Sequence, residues 1–151
     1  MQDEMAKVCM DYAKGNVDAV YIYCYAGPDA RHIDCAFLQK GHFRRKHELN
    51  KGRIFGRTDT SIQTQGALCD SLNHAIDKAS MLMQPFPVQF KLIYDNKKNC
   101  YFADYEFETQ DANRQESIQN TRPFENAVMP EGAVEWFREK VVFFNNEENN
   151  L

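Results

Sequence analysis

Two runs of opposite charge, four histidines and five cysteines are the residues of this 151-residue chain whose types could do chemistry. His42 and His47 sit in a basic stretch beside Lys46. Two proton-transfer groups and a cation for the phosphate are the parts that RNA cleavage needs. Their spacing matches no diagnostic pattern, and solvated loop residues account for them better. The cysteines, Cys9, Cys24, Cys35, Cys69 and Cys100, are odd in number and widely spaced, each within an apolar or amphipathic segment. A disulfide framework or a zinc site would want closer pairs such as C-x-x-C, so small buried hydrophobes in a reducing compartment are expected instead. There is no P-loop, no glycine-rich dinucleotide turn, no H-E-x-x-H and no G-x-S-x-G. No catalytic residue, metal or cofactor is expected.

The charge is unevenly placed. Between 39 and 57 lie Lys40, Arg44, Arg45, Lys46, Lys51, Arg53 and Arg57 against the single Glu48. From Asn99 onward, eleven acids face four bases, and the net charge is −4. Phosphate binding by the basic stretch is one reading. Only Phe43 and Phe55 interleave with its cations, however, and the overall negative charge opposes it. The acids speak more clearly. Asp104, Glu106 and Glu108 alternate with Ala103, Tyr105 and Phe107, so in a strand the three acids share one face, and Asp111 follows. A solvated strand face is the bland account. The sharper one is a surface for a basic protein partner, because complementary charge steers association. Arg44, Arg45 and Lys46 are the alternative contact, toward an acidic partner.

The elements that must position these groups follow from periodicity. Met5, Val8, Cys9 and Tyr12 mark one face of a helix over 3–14, stopped by Gly15 and Asn16. Residues 17–26 are apolar on both faces and read as an interior strand, and 32–38, with Ile33, Cys35 and Phe37 aligned, as its hairpin partner. Residues 41–60 show neither period clearly, and 44–49 fits either a third, edge strand or a loop. The strongest helix spans 61–83, with Leu68, Leu72, Ala75, Ile76, Ala79, Leu82 and Met83 as its stripe and Pro85 and Pro87 beyond it. Residues 88–94 and 100–107 form a second hairpin. Residues 109–129 are polar and aperiodic, with Ile118, Phe124 and Val128 as anchors. A final helix over 130–140 turns Val134, Phe137 and Val141 to one side, and 145–151 reads as a frayed polar tail.

These elements predict a single α+β domain over 1–151. Its antiparallel sheet of four to five strands, built from two hairpins, is covered on one face by a long amphipathic helix, with short helices at each end. With 43% hydrophobic residues the chain can form one core without staples. No apolar run approaches the roughly 20 residues that span a bilayer, and residues 1–14 lack the pattern of a secretory signal. The expected address is the cytoplasm.

Two segments carry a resemblance to a known family. The aromatic strand DAVYIYCYAG follows a short N-terminal helix, and the hairpin FKLIYDNKKNCYFADYEFE ends on Asp104, Tyr105, Phe107 and Glu108 in an Asp-Tyr-x-aromatic-Glu order. In these the chain resembles the YezG-like antitoxin family, which includes small bacterial immunity proteins. The resemblance implies a cytosolic inhibitor that binds a cognate nuclease-type toxin and occludes its active site, without catalysis. The partner so implied is a protein, not nucleic acid or a membrane. A small RNase using His42 and His47, and a general interaction domain without a toxin partner, are the competing classes. The sequence does not fix the oligomeric state.

Overall fold

A strand apolar at every position is stable only with cover on both faces, and Ala19–Ala26 is such a strand. The computed structural model of the chain describes residues 1–28, 30–107 and 129–149, with side chains through residue 140. In it, β1 (Ala19–Ala26) is the central strand of a five-stranded sheet. β2 (Arg31–Gln39) and β4 (Gln89–Asp95) flank it, and β3 (His42–Arg45) and β5 (Cys100–Glu106) form the edges. All four pairings are antiparallel. The α+β class and both hairpins are as the sequence predicts.

The three α-helices among the described residues divide between the faces. α1 (Gln2–Tyr12) and α2 (Ile62–Leu82) lie on one face, over Val20, Ile22 and Cys24 of β1, Ile33, Cys35 and Phe37 of β2, and Phe90 and Leu92 of β4. Met5 and Cys9 of α1 and Leu72 and Ile76 of α2 fill this core. α3 (Glu131–Asn149) lies on the opposite face, where Val134 and Phe137 pack on Tyr21, Tyr23 and Ile93. Cover on one face is as the sequence predicts, and α3 covers the other face as well. The physical reason lies in β1, whose Tyr21 and Tyr23 carry too much apolar area to face water: Tyr21 is stacked by Phe43 and Phe137, and Tyr23 is buried in the same cluster. α3 is also longer than the 130–140 expected: it continues to Asn149, through 145–149, which the sequence reads as tail.

Local signals explain the boundaries. α1 stops because Lys14 and Gly15 turn left-handed and the Gly15 amide donates back to the Met10 carbonyl. Ser61 caps α2, its hydroxyl accepting from the Thr64 amide at 3.2 Å. Lys40 and Gly41, both left-handed, make the two-residue turn from β2 to β3. That turn starts the third strand at His42 and ends it at Arg45, earlier than the 44–49 the sequence allowed. A short 3-10 turn, Lys46–Glu48, follows.

Candidate protein-binding surface

β5 is the longer of the two edges, seven residues against four. Its alternation sends Tyr101, Ala103 and Tyr105 toward the core under α1 and α2. Phe102 goes to the other face, where its ring meets Trp136 of α3 at 5.9 Å. Asp104 and Glu106 share that face with it, opposite Lys91 and Gln89 of β4. The two acids thus stand on one face, as the alternation predicts, beside α3. Glu108 and Asp111, the other two acids singled out in the sequence, lie outside the described residues, as do the anchors Ile118, Phe124 and Val128.

Each described acid has a defined setting. The Asp104 carboxylate is half-exposed and stands 3.9 Å from the Lys91 ammonium, a loose pair. Glu106 accepts from the Gln89 amide nitrogen at 3.4 Å, and Gln89 in turn accepts from the Tyr23 hydroxyl at 3.0 Å. This short chain fixes Glu106 from the core outward. Alongside runs an aromatic and cationic band. Lys91 stands 5.3 Å from the Trp136 ring, and Lys140 stands 4.8 Å from Phe102 and 5.3 Å from Trp136. Phe102 and Phe107 remain nearly half-exposed. Further acids line α3, where Glu131, Glu135 and Glu139, four residues apart, are all exposed, with Glu131 toward Arg45 of the opposite edge strand β3. Sequence spacing alone could have shown that row, because three acids at i, i+4 and i+8 share a helix face.

The basic stretch is less available than its sequence implies. Lys46 is 16% exposed and donates to Asp34 at 2.9 Å, with the Asp34 side chain only 10% exposed. Asp34 also accepts from the backbone amides of Cys35 at 2.8 Å and Met129 at 2.7 Å. Burial alone would push Lys46 down, but the charge and hydrogen bond of Asp34 outweigh it and hold the ammonium above its ordinary value. The Lys46 ammonium also lies 3.8 Å from the Cys69 sulfur, and burial pushes that thiol up. Arg45 faces Glu131 of α3 at 3.9 Å. The Arg44 Nε is buried without a hydrogen-bond partner among the described residues. His42 and His47 are exposed, the first opening β3 and the second in the turn after it. The cation the RNA-cleavage reading needs is committed to Asp34 and does not stand free beside them.

The five cysteines are unbridged, with Cys9, Cys24 and Cys35 buried, Cys69 half-buried and Cys100 exposed. Among the described residues no group of three or more His, Cys, Asp or Glu side chains could hold a metal ion. No described helix is long and apolar enough to cross a membrane. No protein-family model matches the chain, and no curated protein matches it either.

Proposed function

We propose that this chain is a protein-binding inhibitor, an immunity protein or antitoxin of the cytoplasm that occludes the active site of a cognate nuclease-type toxin. It performs no catalysis of its own. The observation that supports this most is the outer strand β5, which carries Asp104 and Glu106 on one face with the half-exposed Phe102, whose ring meets Trp136 of α3. Among the described residues no further strand pairs with its outer edge.

The chemistry of the partner follows from that combination. A nuclease must attract phosphate, so its cleft is positive, and an acidic surface competes for the same cations. Aromatic side chains at the centre of such a surface supply area that excludes water, while the acids set orientation and rate of encounter. The loose Lys91–Asp104 pair suits this use, since a partner's cation replaces Lys91 at little cost.

The test is a binding and protection assay against a toxin domain encoded beside this chain. The purified proteins should form a stable complex, and adding this chain should abolish nucleic-acid cleavage by the toxin. Nuclease activity that persists at saturating inhibitor, or cleavage of RNA by this chain alone, would overturn the proposal.

A further inference from the structure

Ile54 and Phe55 are consecutive and lie 84% and 86% exposed. Nothing in the surface already described uses them. Water around two neighbouring large apolar side chains is unfavourable, and single scattered exposures are the commoner case. Their loop is nonetheless held firmly in place. Asn50 closes it at the base, accepting from the Thr58 amide at 2.8 Å and donating to the Thr58 carbonyl at 2.7 Å. The Thr58 hydroxyl anchors to the Tyr12 carbonyl of α1, and Lys14 donates to the Arg57 carbonyl at 2.9 Å. Across the loop Arg57 donates to the Arg53 carbonyl at 2.9 Å. Gly52 and Gly56, both left-handed, turn the chain on either side of the tip. The pair is therefore presented by a preformed scaffold.

Cations flank the tip in the chain. Lys51, Arg53 and Arg57 lie within the closed loop, which contains no acid, and Glu48 just before it stands 3.9 Å from Lys51. An apolar apex flanked in the chain by the exposed Lys51 and Arg57 fits an anionic surface. We infer that the loop closed by Asn50 and Thr58 docks on an anionic lipid bilayer, Ile54 and Phe55 entering the headgroup–acyl boundary while the exposed Lys51 and Arg57 meet the phosphates. Aliphatic Ile54 decides between this surface and single-stranded nucleic acid: it offers no π-face to a base, whereas acyl chains accept it as readily as Phe55. A fluid interface also needs no cavity matched to a convex tip. The overall charge of −4 does not forbid the contact. The acidic row of α3 lies on the opposite face of the sheet from α1, to which the loop is tied, and the Debye length is about 8 Å at physiological salt. That no described helix is long and apolar enough to cross a bilayer concerns spanning it, not contact with its surface.

The inference goes beyond the inhibitor reading and does not rest on it. The test is co-sedimentation of the full chain with vesicles of phosphatidylglycerol and phosphatidylcholine, with phosphatidylcholine alone, and, in parallel, binding to oligothymidylate. The chain should sediment with the anionic vesicles and not with phosphatidylcholine, and salt should weaken the binding. Ile54→Ser with Phe55→Ser should weaken it about tenfold or more, since burial of either side chain contributes that much. Lys51→Glu with Arg57→Glu should abolish it. Circular dichroism confirms that each variant is folded. Failure of the folded wild-type chain to bind anionic vesicles would overturn the inference. So would vesicle binding unchanged in the Ile54/Phe55 variant, or oligothymidylate as the ligand those substitutions release.

Discussion

The residue with most depending on it is Asp34. Its carboxylate accepts from Lys46, from the Cys35 amide and from the Met129 amide, joining the β3 edge, its own strand and the start of α3. Removing it leaves a buried ammonium without a counter-charge. Asp34→Ala should cost about 3–5 kcal/mol in urea unfolding, and adding Lys46→Met to it should restore part of that loss. Equal stability of the single and double variants would show that the pair is not coupled. A second consequence concerns alkaline pH. Burial pushes the Cys24 thiol up to about 12 from an ordinary value near 9. A raised folded value contributes stability that is complete below the unfolded pKa and lost as pH rises through the folded one. Stability should therefore fall between about pH 9 and 12. Cys24→Ala should flatten that fall by about one proton, read from the slope of unfolding free energy against pH. The Asp34 knot was not legible in the sequence. Asp34 is a single polar residue in a weak strand pattern, and its partner comes within reach only because β3 ends at Arg45 and turns. Lys46 drew notice as a phosphate-binding cation, a role its burial removes.

At the scale of elements, α2 carries the clearest sequence signal and the clearest prediction. Leu72 is fully buried between α1 and the sheet, so Leu72→Ala should lower stability by about 2–5 kcal/mol in chemical denaturation. Ser61→Ala, which removes the cap on Thr64, should cost about 1 kcal/mol. If Leu72→Ala leaves the denaturation midpoint unchanged, the packing described for α2 is wrong. The periodic elements were legible because each writes its period into a contiguous segment: the α2 stripe, the alternation of β4 and β5, and the doubly apolar β1. The side of the sheet taken by α3 was not. Val134 and Phe137 show which face of that helix turns inward, and nothing in their spacing shows which layer they enter. The available clue was β1 itself, whose tyrosines demand a cover of their own. The strand–turn–strand through Lys40 and Gly41 escaped because a lysine in left-handed backbone is no ordinary turn signal.

Across the whole molecule, the two charge runs occupy different parts of the fold. The basic run forms the β3 edge and the loop after it, and its members are partly tied down by Asp34 and Glu131. Of the acidic run, Asp104 and Glu106 lie on the β5 edge and Glu131, Glu135 and Glu139 are exposed along α3, where Glu131 meets Arg45. Alternation placed Asp104 and Glu106 on a common face in advance. Their neighbours Phe102, Trp136 and Lys140 could not be foreseen, because they meet only when α3 crosses the sheet. The most direct test of the inhibitor account is the association rate with the toxin domain, measured at low and physiological salt for two charge-reversed variants. Asp104→Lys with Glu106→Lys should slow association about tenfold or more at low salt, and less at physiological salt, where screening weakens steering. Arg44→Glu with Arg45→Glu should leave the rate near wild type. Slowing by the basic-edge variant alone would contradict the account and move the interface to β3.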